Sequence, residues 1–272
     1  MCLQVFKKIG ILGYGNMGKA IAKTLNDKSK KDLEVFIFSK GLQCDDCDRI
    51  VIVNSFAKLI EKSDVVFLCI KPQDFQTFKI DSETMEMIKT KQPVFISIMA
   101  GISIKQIEEK FSTKTIIRTM PNLPLQVGRG VVGWFVKKNS IEKRKLDELQ
   151  KLLSCLGLLV EVEQEEKINA ITAISGSGPA YVFLFLKALT EAGVALGFSP
   201  QQSREIVIET VIGSAIYAQN QKDYSLDDLI DRITSKGGTT EAALNGIDRK
   251  NFDNLWIEAV ERACNRAKEL SN

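Results

Sequence analysis

KIGILGYGNMGKAIAKTL, at residues 8–25, is the stretch of sequence that decides the fold. It begins with a short apolar run, continues with three glycines spaced G-x-G-x-x-G and ends in an alanine-rich helical pattern. In such a strand-turn-helix unit, Gly13 permits the sharp turn, Gly15 lets backbone approach a pyrophosphate and Gly18 lets the helix pack on the sheet. Free N–H groups and the helix dipole then face the anion. The stretch predicts a dinucleotide-binding unit, whereas a glycine triplet alone would indicate only an ordinary strand-to-helix turn.

The end of the second predicted strand bears on the choice of dinucleotide. Glu34–Phe38 is followed by Ser39 and Lys40, where an NAD enzyme usually places an acid that holds the ribose 2′-hydroxyl. A hydroxyl and an ammonium group suit a 2′-phosphate, so the pair favours NADPH, with NADH still possible. The alternative is that both residues only open a solvated loop, and Asp45 and Asp46 follow closely.

Size and charge limit the classes of protein that fit. A chain of 272 residues with 44% hydrophobic content can bury two cores, and we expect domains at residues 1–163 and 164–272. The net charge of +3, from 37 basic and 34 acidic residues, predicts neither a nucleic-acid partner nor a membrane surface. The longest apolar runs look shorter than a membrane span, and the N-terminus lacks a signal-peptide pattern. A cytoplasmic location is therefore expected.

Cysteine and histidine usage restricts the chemistry. Of the six cysteines only Cys44 and Cys47 have paired spacing, and the chain has no histidine. One C-x-x-C pair cannot complete an ordinary zinc site, so no metal is expected. The pair could be redox-active, but it lies in a polar loop, which favours ordinary thiols in a reducing cytosol. Mechanisms that need histidine as a base or ligand are excluded.

Alternating strand and helix patterns indicate a doubly wound parallel sheet. Ser55 and Ser103 resemble helix N-caps, and Gln106 completes a capping box with Ser103. Two further predicted strands flank a helix at residues 141–156 and extend the sheet. The apolar runs that predict strands lie at residues 9–12, 35–38, 50–53, 65–70, 94–99, 115–119, 131–136 and 158–162.

The sequence after Glu165 has sparse turn signals and helical spacing of its apolar residues almost to the end. One helix is predicted to start at Gly178 and to end near Gly197, and another to start after Ser199. Both are apolar around much of their circumference, which predicts a subunit interface, the alternative being burial within the same chain. The fold class expected is thus α/β, a Rossmann-type doubly wound sheet followed by an all-helical dimerisation domain.

Two glycine-rich segments in the helical part lead directly into helices: SGSGPAY at residues 175–181 and TSKGGTT at residues 234–240. Such junctions expose N–H groups, and the hydroxyls of Ser235, Thr239 and Thr240 would complete a site for a small carboxylate. Helix capping is the alternative. A third segment, MPNLPLQVGRG at residues 120–130, leaves a strand at the carboxyl edge of the sheet, where ligands of this architecture bind.

Six segments, taken in order, match a known family. They are GYGNMG at residues 13–18, CIKPQ at 69–73, MAGIS at 99–103, MPN at 120–122, SGSGPAY at 175–181 and TSKGGTT at 234–240. Together they make the chain resemble pyrroline-5-carboxylate reductase over nearly its whole length. The resemblance implies reduction of the cyclic imine 1-pyrroline-5-carboxylate to L-proline, the last step of proline biosynthesis, with NAD(P)H. It also implies a homo-oligomer, dimer or larger, held by the C-terminal helices.

The resemblance also implies site residues. Thr240 would be the catalytic residue, with its side chain near the ring nitrogen of the substrate. A protonated cyclic imine is already an electrophile, so hydride transfer needs alignment and a hydrogen-bonding group, which agrees with the missing histidine. The substrate carboxylate would lie on Ser235, Gly237, Gly238, Thr239 and Thr240. The cofactor would be held by Gly13, Tyr14, Gly15, Asn16, Met17, Gly18, Ser39, Lys40, Asn54, Lys71, Pro72, Ala100 and Gly101.

Several positions depart from the family pattern and keep alternatives open. Lys236 replaces a common proline, which loosens the turn, although its ammonium group can help hold a carboxylate. The alternatives are an NADP-binding regulatory homologue without turnover, a reductase of another small cyclic imine, and a hydroxyacid enzyme that uses a helical lysine such as Lys187. The other departures are Met99, Leu123, Asn169, Lys222 and Ala243.

Overall fold

The computed structural model describes residues 6–28, 33–40 and 50–270. The chain forms two compact units, one made of Met1–Ser177 with Arg262–Asn272 and the other of Gly178–Glu261. The domain boundary predicted between residues 163 and 164 rests on the sequence alone, and it stays a prediction.

The first unit contains one eight-stranded sheet in the order β3-β2-β1-β4-β5-β6-β7-β8. Strands β1 to β6 are parallel, so the doubly wound sheet is confirmed. β7 is antiparallel to β6, and β8 is parallel to β7, so the last two strands run the opposite way. The connection from β6 to β7 is too short for the crossover that a parallel pair needs. The strands are β1 Lys8–Leu12, β2 Glu34–Phe38, β3 Ile50–Ile52, β4 Val65–Leu68, β5 Val94–Ser97, β6 Ile116–Pro121, β7 Val131–Val136 and β8 Leu158–Glu161.

Helices cover the sheet and begin where the sequence predicts caps. The Ser55 side chain accepts a hydrogen bond from the Lys58 N–H, and Ser103 forms the predicted capping box with Gln106. The helix predicted at residues 141–156 is observed as α6. The described helices before the second unit are α1 Asn16–Lys28, α2 Phe56–Lys62, α3 Pro72–Thr77, α4 Ser82–Lys91, α5 Ile104–Phe111, the 3₁₀ turn Leu123–Val127, α6 Lys143–Ser154, α7 Lys167–Ile171 and the π-helical turn Thr172–Gly176.

The two faces of the sheet carry two separate cores. On one face Ile9 and Ile11 of β1 pack in a cluster with Ile21 of α1. On the other face Phe95 of β5 stacks on Phe111 of α5 with ring centroids 4.7 Å apart. Side chains alternate between the two faces along each strand. Because both faces of this sheet are covered, nearly every residue of a strand is apolar, and the strands appear in the sequence as continuous apolar runs. This is why the strands could be located from the sequence.

The second unit is helical, as predicted from residue 165 onward. Its first two helices cross where Gly193 faces Ser203, and Ser203 Oγ donates to the Thr190 carbonyl oxygen at 2.7 Å. Ser199 forms a capping box at the predicted start of α9. The last helix begins in this unit and ends in the first. The helices are α8 Gly178–Ala195, α9 Pro200–Asn220, α10 Leu226–Arg232, α11 Thr239–Asn245 and α12 Arg249–Glu269.

Large apolar side chains are exposed throughout the second unit. Within residues 178–261, all of which are described, only Ser203 and Val207 are buried. A unit of this size would not leave so much apolar surface uncovered in water. The large apolar side chains exposed on α8 and α9 are Val182, Phe183, Leu184, Phe185, Leu189, Val194, Ile206, Ile212, Ile216 and Tyr217.

One described stretch, Lys167–Ala195, is long and apolar enough to cross a membrane by length and composition alone. Glycine, serine, threonine and Lys187 interrupt its apolar runs, so this stretch does not contradict the expectation that the uninterrupted runs are shorter than a membrane span. Core helices of proteins that never enter a membrane meet the same two criteria, so length and composition assign no membrane role here.

Candidate functional site

The glycine-rich turn between β1 and α1 has a different requirement at each glycine. Gly13 has φ 96°, and a Cβ atom there would lie 2.8 Å from the carbonyl group of Cys69. A Cβ on Gly18 would overlap the carbonyl oxygen of Gly13. A Cβ on Gly15 would meet no atom of the described chain within 4 Å. The fold itself therefore requires Gly13 and Gly18, while a side chain on Gly15 would obstruct only what approaches from outside.

The other predicted cofactor residues follow the carboxyl ends of parallel strands. Strand order reverses between β1 and β4, which is where ligands bind in this architecture. The N-terminus of α1, which begins at exposed Asn16 directly after exposed Gly15, lies at that point. Ser39 and exposed Lys40 follow β2, and exposed Asn54 follows β3. Exposed Lys71 and half-buried Pro72 follow β4, and Ala100 and Gly101 follow β5. The structure thus brings all of them to one edge of the sheet.

Gly101 has a structural requirement of its own. It is buried with φ 75°, and a Cβ atom there would overlap the carbonyl oxygen of Leu270, just beyond α12. Packing inside the first unit therefore accounts for glycine at this position. Its contact with a cofactor stays a prediction.

Two of the described cysteines, Cys69 and Cys155, are held as protonated thiols by burial. Burial raises the pKa of Cys69, which lies behind the glycine turn, and burial also raises the pKa of Cys155. A protonated thiol is a poor nucleophile and a poor metal ligand. In the described part of the chain, no group of three or more acidic or cysteine side chains could hold a metal ion. Cys44 and Cys47 lie outside the described residues.

The segment after β6 is attached to the start of the helical region. The Asn122 side chain accepts a hydrogen bond from the Val131 N–H at 2.8 Å and donates one to the Ser175 carbonyl oxygen at 3.1 Å. A Cβ on Gly176 would lie 3.6 Å from Met120 Sδ. The π-helical turn therefore packs on the carboxyl edge at β6. π-Helical turns are rare and often occur at functional sites.

A buried arginine under this edge was missed by the sequence reasoning. Arg118 is 2% exposed, and its guanidinium donates to Glu165 Oε1 at 3.0 Å and to Asn169 Oδ1 at 3.2 Å. The same Glu165 oxygen accepts from the Ile104 N–H at 2.8 Å. The signal in the sequence was a single arginine in an otherwise apolar strand, because such a charge is tolerated only when paired.

The predicted substrate turn lies in the second unit, between α10 and α11. Gly237 has φ 74°, and its N–H donates to Glu241 Oε2 at 2.7 Å. The Gly238 N–H donates to the Ser235 carbonyl oxygen at 2.9 Å. Thr239 and Thr240 begin α11, so their N–H groups have no partner within the helix. Two of the four N–H groups in this turn are therefore already occupied, one of them by a carboxylate that the sequence reasoning did not assign.

The departures from the family pattern lie in different surroundings. Met99 is buried in the second core, whereas Leu123 and Lys236 are exposed. Lys187 is exposed and lies 3.4 Å from Glu191, so it is a surface ion pair rather than a buried catalytic lysine. This arrangement gives no support to the hydroxyacid alternative.

Comparison with known proteins identifies the family of the chain. A model of pyrroline-5-carboxylate reductase dimerisation matches residues 165–270, and a model of NADP oxidoreductases, coenzyme F420-dependent, matches residues 8–101. The pyrroline-5-carboxylate reductase of Aquifex aeolicus is 35% identical over 269 residues, which cover 97% of each chain. The chain belongs to the pyrroline-5-carboxylate reductase family. The family prediction from six short segments is confirmed, and so is the expected class of enzyme, an oxidoreductase.

Solved structures of this family share the whole fold. A pyrroline carboxylate reductase of Plasmodium falciparum with NADP bound superimposes with a TM-score of 0.84 at 28% identity, covering 98% of both chains. A pyrroline-5-carboxylate reductase of Coxiella burnetii also reaches 0.84, at 30% identity, covering 97% of this chain and 98% of that one. The Rossmann-type sheet followed by a helical dimerisation region is thus a property of the family.

Proposed function

We propose that this chain reduces 1-pyrroline-5-carboxylate to L-proline with NADPH bound at the carboxyl edge of the parallel sheet. The observation that carries the proposal is the match to a pyrroline-5-carboxylate reductase over 97% of the chain. The purified protein should oxidise NADPH only when pyrroline-5-carboxylate is present, as followed by absorbance. Cofactor binding without turnover would favour a regulatory homologue. Turnover with another cyclic imine but not with pyrroline-5-carboxylate would show that the substrate is assigned wrongly.

The turn after β1 fits the pyrophosphate of a dinucleotide. Gly15 leaves the backbone open to close approach, and α1 is a helix of 13 residues whose N-terminus follows directly. Its dipole and N–H groups attract an anion. We assign Gly13 to Gly18 to the pyrophosphate, Ser39 and Lys40 to the 2′-phosphate, and the remaining predicted residues, Asn54, Lys71, Pro72, Ala100 and Gly101, to other parts of the cofactor.

The turn before α11 holds the substrate in this proposal. When bound, NADPH supplies the hydride that reduces the carbon of the protonated imine. The Thr240 hydroxyl hydrogen-bonds the ring nitrogen, while the hydroxyls of Ser235 and Thr239 and the N–H groups that begin α11 hold the carboxylate. Because Glu241 occupies the Gly237 N–H, the substrate carboxylate must either bind beside Glu241 or displace it. No strong general acid is required.

Lys40→Glu should weaken NADPH recognition by about 1–3 kcal/mol and leave NADH recognition unchanged, because it replaces a cation with an anion beside the 2′-phosphate. The measurement is kcat/KM with each cofactor. Lys23→Glu is the matched control, since it reverses the same charge on the exposed side of α1. Equal losses with both cofactors would show that Lys40 does not contact the 2′-phosphate. A higher kcat/KM with NADH than with NADPH in the unaltered protein would refute the NADPH preference.

Thr240→Ala should lower kcat/KM for pyrroline-5-carboxylate by about 1–3 kcal/mol, the range for one hydrogen bond at a reacting centre. NADPH affinity, measured by titration without substrate, should stay within twofold, roughly the limit of an uninvolved side chain. Thr240→Ser should restore activity. Thr234→Ala is the control, because the Thr234 hydroxyl, just beyond α10, donates to the carbonyl oxygen of Ile230 in that helix. Wild-type kinetics in Thr240→Ala would show that the substrate does not bind at this turn.

We also infer a homo-oligomer whose interface is formed by α8 and α9. Their exposed apolar side chains and the dimerisation model that covers them support this interface. The nearly balanced charge argues against nucleic acid and membrane surfaces as partners. A cytoplasmic location stays a prediction from the sequence.

A further inference from the structure

The hydroxyl group of Ser175 is a buried polar group without a partner. Ser175 lies in the π-helical turn, and its Oγ atom is shielded from solvent with no hydrogen-bond partner among the described residues. Thr172, in the same turn, donates its hydroxyl to the Ile168 carbonyl oxygen at 2.8 Å. Leaving such a group unpaired costs about 1–3 kcal/mol. An unpaired hydroxyl in a native turn therefore calls for a physical reason.

The position of this hydroxyl separates it from the other unpaired buried atoms of the described chain. Ser63 and Thr84 lie at the end of α2 and in α4, and Arg118 bonds Glu165 and Asn169 through its other nitrogens. Ser175 is the one whose backbone is fastened to the carboxyl edge, through the 3.1 Å bond from Asn122. Its location is therefore at the ligand edge of the sheet.

The half of the sheet next to Ser175 is the half that receives the nicotinamide. In the order β3-β2-β1-β4-β5-β6 each set of three strands binds one mononucleotide. The candidate 2′-phosphate residues Ser39 and Lys40 follow β2, which places the adenosine over the first set. Asn122 and Ser175 adjoin β6, in the second set. The nicotinamide ribosyl half of the cofactor thus lies on their side.

We propose that the Ser175 hydroxyl binds the carboxamide of the nicotinamide ring. A hydroxyl can both donate and accept, and a carboxamide offers an N–H donor and a carbonyl acceptor. Ser175 is partly exposed as a residue, and its χ1 has three staggered positions, so the proposal requires the rotamer in which the oxygen faces the ligand edge. This inference rests on the proposed function only in requiring a nicotinamide cofactor.

The test is cofactor binding in the absence of substrate. Ser175→Ala should weaken NADP⁺ binding by about five- to tenfold, the equivalent of one neutral hydrogen bond. Binding of 2′-phospho-ADP-ribose, which lacks the nicotinamide ring, should be unchanged. The melting temperature should stay the same or rise, because the substitution removes an unpaired buried hydroxyl and breaks no hydrogen bond.

Two variants serve as controls. Ser175→Thr keeps the hydroxyl and should restore NADP⁺ affinity, and Thr172→Val removes a paired hydroxyl of the same turn and should leave affinity unchanged. Unchanged NADP⁺ affinity in Ser175→Ala, or equal weakening of NADP⁺ and the ring-free fragment, overturns the assignment. Failure to reduce pyrroline-5-carboxylate would affect only the proposed substrate, whereas an unaltered protein that binds no NADP⁺ would overturn both.

Discussion

Gly15→Ala is expected to weaken NADPH binding by at least about tenfold, or 1.4 kcal/mol, without destabilising the protein. A Cβ atom at this position meets no atom of the described chain within 4 Å, so the turn can accept it. The same methyl group stands where the backbone must approach the pyrophosphate. Titration of NADPH without substrate measures the binding, and urea unfolding measures the stability.

Gly18→Ala is the matched variant, and its main effect is expected on stability rather than on NADPH binding. Its Cβ atom would overlap the Gly13 carbonyl oxygen, so β1, the turn or α1 must move. Overpacking of this kind costs about 1–3 kcal/mol of the free energy of unfolding. If Gly15→Ala lowers stability as Gly18→Ala does, or if it binds NADPH normally, the pyrophosphate does not lie on the Gly15 backbone.

Arg118→Ala should lower the free energy of unfolding of the first unit by about 3–5 kcal/mol, the usual result of removing one member of a buried ion pair. The substitution removes the cation beside the Glu165 carboxylate, whose side chain is 18% exposed and keeps the Ile104 N–H, and it removes the donor to the Asn169 amide oxygen. Urea unfolding can be followed by the fluorescence of buried Trp134 in a Trp256→Phe background, since these are the two tryptophans of the chain.

Lys137→Ala provides the comparison for Arg118→Ala. Lys137 lies 2.6 Å from Glu108, but the lysine side chain is 42% exposed, so solvent screens the pair and its loss should cost at most about 1 kcal/mol. Losses of similar size in the two variants would show that burial of Arg118 adds nothing to its ion pair.

Local features of the chain were predicted because their causes are local. The glycine turn, the capping box at Ser103 and the strand at Glu34–Phe38 each depend on residues within a few positions of one another. The direction of β7 was not predicted, because side-chain alternation is the same in both directions. The short connection that imposes it became informative only once both strands were placed.

The sequence by itself determined the succession of strands and helices, the glycine turn that suits a dinucleotide and the apolar helices of the second unit. Each follows from backbone preference or from apolar spacing along the chain. Tertiary structure alone decided that Glu165 and Asn169 meet Arg118, that Asn122 fastens the turn containing Ser175 to the sheet, and that this hydroxyl has no partner among the described residues. These groups lie 47 to 53 positions apart, and hydrogen bonds at that separation depend on how the elements pack.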